Sequence, residues 1–325
     1  MTTMRALISD RYGPPESMRL EQVPQPHPGP GEVLLRIHAA SVNSWDWDRL
    51  VGRPLGRITD PFRPPHRILG GDVAGIVEAV GADVTRFKVG DAVFGDLTGA
   101  NWGGFADYVC APATALAIKP EGLSFHTAAA LPQAGLLAMQ AIRRRAVLPP
   151  GEHVLVSGAG GGAGIIALQL ALHAGADVTA VDRGHKGQKL LDLGASHFVD
   201  YRQQNFTRTG EQYDLIVDMV GSQNVFAYRR ALAKGGNLVL VGGSFGRILQ
   251  VVALGNRLGH EQSQKMELLI YNPNVADLDE LAELALSGAI APVIDSIFPL
   301  EQGAAAMRRI GTGDHIGKII IDMGA

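Results

Sequence analysis

Ala159-Gly160-Gly161-Gly162-Ala163-Gly164 follows a short apolar run over residues 153–157 and opens an Ala/Leu-rich run that continues to about residue 173. Asp182 closes the next apolar run, 21 positions after Gly161. Strand, glycine turn, helix, strand and acid in that order make up a dinucleotide-binding fingerprint. Small residues are needed because the backbone must turn tightly, let a pyrophosphate approach its N–H groups, and let the helix pack on the strand. Ala159 takes the first glycine position of G-x-G-x-x-G, so the motif reads A-x-G-x-x-G. A glycine-rich loop without a ligand would explain the glycines but not their place in that series.

Outward from the turn, strand-like runs at 153–157, 177–181, 197–200, 214–218 and 237–241 alternate with helical patterns at about 164–173 and 186–193. Such alternation predicts a parallel sheet with helical crossovers. The strands are unbroken apolar runs, as in Leu215-Ile216-Val217 and Leu238-Val239-Leu240-Val241, which predicts cover on both faces. Upstream, Glu32-Val33-Leu34-Leu35-Arg36-Ile37 and the run 73–80 are β-like and separated by Gly and Pro, which predicts a mostly β domain. A helical stretch from Ser124 to about Arg145 marks the change of texture, so a domain boundary is expected near residue 122. The tail supplies a strand-like 266–271, a helix at 277–287, and strands near Val293 and at 318–321.

The 325 residues are 46% hydrophobic, enough for two packed domains. A formal net charge of −3, with no dense run of Lys or Arg, argues against nucleic acid as partner. The single cysteine, Cys110, excludes an intrachain disulfide and fits a reducing compartment, with the cytoplasm expected. Residues 1–10 lack an apolar signal core, and Gly or charged residues break the longer apolar runs before about 18 residues. Neither export nor membrane spanning is expected.

Beside the turn the charges point two ways. Asp182 is placed to accept from an adenosine ribose hydroxyl, as at NAD sites, and would repel a 2′-phosphate. Arg183 and Lys186 could turn toward a phosphate, or be solvated side chains at a helix start. Charge alone leaves both cofactors open.

The order of features resembles the medium-chain dehydrogenase/reductase superfamily, and within it the quinone oxidoreductase-like branch that lacks zinc. The resemblance covers nearly the whole chain. It rests on Ala40-Ser41-Val42-Asn43-Ser44-Trp45-Asp46-Trp47, Leu69-Gly70-Gly71-Asp72-Val73-Ala74-Gly75, the run 87–95, Gly103-Gly104-Phe105-Ala106-Asp107-Tyr108-Val109 and Ala128-Ala129-Ala130-Leu131-Pro132-Gln133-Ala134-Gly135. It continues through Leu193-Gly194-Ala195, Asp200-Tyr201-Arg202, the run 213–218 and Gly317-Lys318-Ile319-Ile320.

That resemblance implies an α/β protein: a GroES-like, mostly β domain from residues 1–122 with 272–325, and an inserted Rossmann doubly wound parallel-sheet domain from 123–271. Family members hold the nicotinamide in a cleft between such domains. The resemblance places cofactor contacts at 159–164, Asp182, Arg183, Lys186, Tyr201, Val241, Gly242, Gly243 and Lys318. NADPH-using members place a Lys at the position of Lys186 and a Tyr at that of Tyr201 against the 2′-phosphate. Asp182 departs from them, since a small residue is usual there; the balance tilts to NADP(H) over NAD(H). Zinc-dependent relatives carry a catalytic Cys, a His-Glu pair and four spaced Cys; here Ser44, Gly71 and the lone Cys110 stand instead. His66 and His260 are scattered and expected to be structural. A metal-free protein is expected.

Reversible alcohol oxidation loses its usual electrophile without a Lewis acid, whereas reducing an enone or quinone needs mainly positioning and hydrogen bonds to the developing oxyanion. An NAD(P)H-dependent reductase of quinones, enones or other activated carbonyls is therefore expected. The alternatives are a metal-free alcohol or ketone dehydrogenase and a non-catalytic NADPH-binding sensor. Asn43 and Asp46 are the catalytic candidates; each also reads as structural, Asn43 as a turn residue and Asp46 as a helix cap. Trp45 and Trp47 are pocket or packing candidates, and Leu137 stands where several relatives have Thr. Loops at 53–63 and 243–260 are expected to shape specificity. Residues 265–271 match the edge strand that family members pair across a two-fold axis, so a homodimer is expected.

Overall fold

Short β-branched and aromatic runs punctuated by Gly and Pro give the N-terminal part its strands. The computed structural model describes residues 2–53, 57, 60–145 and 148–324. Part of the expected specificity loop at 53–63, namely residues 54–56, 58 and 59, lies outside the described residues.

The chain begins with β1 (Thr3–Ile8), β2 (Arg19–Pro24) and β3 (Glu32–Val42), then α1 (Ser44–Val51). It continues with β4 (Asp72–Val80), β5 (Ala92–Asp96), β6 (Tyr108–Pro112), β7 (Leu116–Ile118), α2 (Phe125–Ala130) and α3 (Pro132–Arg143). The alternating part follows: β8 (His153–Ser157), α4 (Gly162–His173), β9 (Asp177–Asp182), α5 (Gly187–Asp192), β10 (His197–Asp200) and β11 (Tyr213–Asp218). Next come α6 (Val225–Ala231), β12 (Leu232–Leu240), α7 (Phe245–Gly259) and β13 (Lys265–Leu268). The last elements are α8 (Val275–Leu286), β14 (Ile294–Pro299), α9 (Gly303–Thr312) and β15 (Lys318–Asp322).

Two compact units result: Met1–Gln133 with Pro273–Ser287 and Pro292–Ala325, and Ala134–Asn272 with Gly288–Ala291. Residues 123–133 thus fall in the first unit, beyond the boundary expected near 122. The reason is packing: Ala128, Ala129 and Ala130 are fully buried, and α2 lies on β3 and β4. The expected single helix from 124 to 145 breaks at Leu131, before Pro132.

In the first unit one sheet runs in the order β14-β15-β3-β4-β5-β7, with β6 also paired to β3. β14 and β15 are parallel and the other pairs antiparallel. Its core gathers Leu35, Ile37, Val73, Phe105, Met307 and Ile321. The C-terminal β15 lies directly against β3, completing the sheet the first hundred residues begin.

The second unit holds an all-parallel sheet in the order β10-β9-β8-β11-β12-β13. The direction of winding reverses between β8 and β11, and ligands of such sheets bind outside the carboxyl ends of the strands at that point. Val154, Leu155, Val156, Leu215, Ile216 and Val217 are all fully buried, as cover on both faces requires. α7 corrects the sequence reading, which expected a loop over 243–260. Gly255 and Gly259, which look like breakers, face β13: a Cβ on them would lie 2.7 Å from the Met266 carbonyl oxygen and 2.3 Å from that of Gln264. They are glycines of close packing within a helix.

Leu155 sits at the centre of this sheet with no exposed surface. Leu155→Ala is expected to lower stability by about 2–5 kcal/mol, read as a shift in the denaturation midpoint.

Candidate active site

The turn after β8 is tied to the neighbouring strand, since the N–H groups of Gly158 and Ala159 both donate to the Val181 carbonyl, at 2.9 and 3.2 Å. Gly158 holds a φ of +77°, which favours glycine. A Cβ on Gly164 would lie 2.1 Å from the Gly158 carbonyl oxygen, so the helix packs on the turn only without one. Ala159 is fully buried, with its methyl accommodated in place of the usual glycine. Gly161, Gly162 and Ala163 keep partial exposure at the start of the twelve-residue α4. Backbone N–H groups and a helix N-terminus therefore meet at an accessible turn, which fits a pyrophosphate.

Asp182, Arg183, Lys186 and Tyr201 gather beside the turn. Asp182 Oδ2 accepts from the Gly160 N–H at 2.8 Å, and Oδ1 from the Arg183 N–H at 2.8 Å. Lys186 Nζ lies 3.3 Å from Asp182 Oδ1, and Arg183 Nε donates to Tyr201 Oη at 3.2 Å. The tyrosine is exposed while Asp182 and Lys186 are buried.

The ends of β11 and β12 continue the same rim. A Cβ on Gly158 would sit 3.2 Å from Met219 Cβ, and one on Gly221 would sit 2.5 Å from the Gly242 carbonyl oxygen. Only glycine backbones let the loops 219–222 and Val241-Gly242-Gly243 approach so closely. Asp218 and Tyr228, which the sequence reading did not single out, hold this rim. Asp218 Oδ1 accepts from the N–H groups of Val220 and Gly221 at 2.9 Å each, and Tyr228 Oη donates to Oδ2 at 2.6 Å. The only hint in the sequence is an acid at the end of an apolar strand.

A second polar cluster lies in the first unit, around a carboxylate the sequence reading also passed over. Asp72 is fully buried in β4 and accepts from Ser41 Oγ at 2.9 Å, Asn43 Nδ2 at 2.9 Å, the Gln133 N–H at 3.0 Å and Lys318 Nζ at 3.2 Å. The same lysine donates to Asn43 Oδ1. Lys318, expected among the cofactor contacts, thus has its ammonium committed inside the first unit. Asn43, just before α1, is 7% exposed, with both ends of its amide held.

Asp46 is sealed away completely. Its Oδ2 accepts from the Asn43 N–H and its Oδ1 from the Gly70 N–H, each at 2.8 Å. Burial pushes its carboxyl up to about 7, against the opposing pull of those two donors. Through these two bonds the side chain holds the 43–46 turn against the loop at Gly70. Trp47 packs on the core and on Gly311, whereas Trp45 is 37% exposed. His66 stacks on Trp102, and burial pushes the Cys110 thiol up to about 11. Among the described residues, no three His, Cys, Asp or Glu side chains gather as metal ligands would, and no helix is long and apolar enough to cross a membrane.

A doubly wound sheet with a glycine turn at its switch point defines a dinucleotide-binding protein. An alcohol dehydrogenase GroES-like domain family matches residues 29–121, and a zinc-binding dehydrogenase family matches residues 193–321. The chain is 30% identical to a quinone oxidoreductase of Homo sapiens over 331 residues, covering 98% of this chain and 97% of that protein. It is 31% identical to the 2-methylene-furan-3-one reductase of Solanum lycopersicum over 329 residues, covering 98% and 79%. The solved quinone oxidoreductase of Coxiella burnetii superposes with a TM-score of 0.88 at 28% identity, covering 99% of this chain and all of that one. The chain belongs to the medium-chain dehydrogenase/reductase superfamily, in its quinone oxidoreductase-like branch, and is an NAD(P)H-dependent oxidoreductase.

Two outcomes test the first-unit cluster. Lys318→Met, which strands Asp72 without its cation, is expected to cost about 3–5 kcal/mol in denaturant unfolding. Asp46 supplies a pH signature. Below the ordinary carboxyl value of 3.8 it is protonated whether folded or unfolded. As pH rises toward about 7 the unfolded chain ionises first, so this group's contribution to stability declines through that window. The stability difference between the protein and Asp46→Asn should therefore shift against the unsubstituted protein between about pH 4.5 and about pH 7.5; no shift would mean Asp46 ionises normally in the fold.

Proposed function

We propose that the chain transfers hydride from NADPH, in preference to NADH, to a quinone, enone or similarly activated carbonyl, without zinc. The observation that carries this reading is the glycine turn at the switch point of the parallel sheet, with Lys186, Arg183 and Tyr201 gathered beside it. Metal independence is supported by Ser44 and Gly71 at positions where zinc-dependent relatives carry ligands. When bound, the dihydronicotinamide supplies the hydride.

In this reading the protein holds the dinucleotide by the backbone N–H groups of 162–164 and by the rim of 241–243, and supplies a hydrogen-bond donor for the negative charge that develops on the acceptor oxygen. Asn43, through the Nδ2 hydrogen that Asp72 does not take, is that donor in this reading. Lys318 and Asp72 fix its amide plane, and Asp46 fixes the turn that carries it. A donor held in this way needs no reorganisation as charge develops. We also infer a homodimer joined through β13, which among the described residues is the edge strand beside β12 and is followed by the 68% exposed Ile270. The lone buried Cys110 supports a cytoplasmic location.

NADPH and NADH oxidation, followed by ultraviolet absorbance with 9,10-phenanthrenequinone, 1,4-benzoquinone and a short 2-alkenal, tests the reading. Turnover with a quinone or enone, faster with NADPH, is expected; reduction of the oxidised cofactor by simple alcohols with no quinone or enone turnover would overturn it. Asn43→Ala is expected to lower kcat by about 10–100-fold with the nucleotide Kd unchanged. A monomeric mass by light scattering at micromolar concentration would refute the dimer.

A further inference from the structure

Gln133 is the second residue of α3, and its backbone N–H is among those at a helix start that find no partner within the helix. Asp72 Oδ1 accepts it at 3.0 Å, while Asp72 Oδ2 accepts from Asn43 Nδ2 at 2.9 Å. One buried carboxylate thus holds both residues, the first through its main chain and the second through its amide. The Asn43 amide is anchored at both ends, by Asp72 and by Lys318, with one Nδ2 hydrogen to spare. The Gln133 amide is not anchored: the residue is 2% exposed, and its Nε2 is buried with no hydrogen-bond partner among the described residues. An enclosed donor without an acceptor bears its full desolvation cost, which an apolar side chain of similar size would avoid. For stability alone, a leucine would serve at least as well at this position.

We propose that Gln133 is a second donor to the acceptor oxygen: the fold leaves its side-chain amide uncommitted, and the amide bonds that oxygen, beside Asn43, when an acceptor is seated. The assignment rests on the reading of Asn43 as a donor given above and adds a catalytic residue to it. The last torsion of a glutamine side chain is soft, so the amide can turn toward an incoming oxygen while the bond to Asp72 keeps its backbone still. A carbonyl oxygen has two lone pairs and can accept from both amides at once. The amides lend hydrogen bonds and give up no proton. Their effect grows as hydride transfer leaves negative charge on that oxygen, so the gain falls in the transition state more than in the bound ground state.

Gln133→Leu and Gln133→Met, one branched and one unbranched, test this by thermal unfolding, calorimetric titration with NADPH, and NADPH-dependent turnover of 9,10-phenanthrenequinone. The unfolding midpoint is expected to equal or exceed that of the unsubstituted protein, because an unsatisfied donor has been removed. The NADPH Kd should stay within about threefold, and kcat should fall by about 10–100-fold with KM changed by less than about threefold. Combined with Asn43→Ala, the loss in kcat should be smaller than the product of the two single losses, because both donors serve one oxygen. A lower midpoint in both variants, or failure of both to fold, would show the amide to be satisfied within the fold and overturn the proposal; where only one is destabilised, the other decides. Unchanged kcat would overturn it too, as would a double-variant loss equal to the product, which would place Gln133 away from the oxygen that Asn43 serves. Absence of turnover by the unsubstituted protein with any quinone or enone would instead overturn the acceptor reading on which the assignment rests.

Discussion

One buried carboxylate holds the first unit together. Asp72 draws donors from β3, from the turn after it, from the start of α3 and from β15, positions spread from residue 41 to residue 318. A charge in such a place is tolerable only because each oxygen is hydrogen-bonded and an ammonium faces it. The arrangement converts a liability into a constraint: Ser41, Asn43, Gln133 and Lys318 must converge, and the strands carrying them must adopt the register that lets them. The amide of Asn43 inherits its orientation from this centre.

The second unit shows the same economy at its own end of the sheet. Asp182 ties the glycine turn to β9, and Asp218 ties the loop after β11 to α6 through Tyr228. Both acids terminate parallel strands and accept from backbone N–H groups of the loops there. In such a sheet the ligand-binding rim is made of loops, which are ordinarily the least rigid part of a fold. Carboxylates that collect their N–H groups give the rim a defined shape before a ligand arrives.

How much of this the sequence discloses follows from which constraints are local. The glycine turn is legible because steric demands act within a few residues: Gly164 must admit the Gly158 carbonyl, and that is written as a missing side chain. The parallel sheet is legible from apolar runs buried on both faces. α7 is not, because Gly255 and Gly259 serve a contact with β13 that no local rule foretells. Asp72, Asp218 and Tyr228 stay hidden for a related reason, since a charged residue in a sequence does not show its partners. Asp46 closes the capping box at the start of α1, the structural reading that the sequence allowed it, and the Lys318 ammonium faces Asp72: the resemblance locates a residue, and the hydrogen bonds show what it holds within the fold.

The pairing of β15 with β3 bears on how this polypeptide is made. β15 sits between β14 and β3, and it brings the cation that faces Asp72. On the ribosome, the first strands of that sheet emerge early and then wait while nearly two hundred residues of intervening chain are translated. Domains generally fold as units during synthesis. The parallel-sheet unit, almost contiguous in sequence, can thus close around its own core first, leaving the earlier-born unit to be finished by β14 and β15, which are made after it.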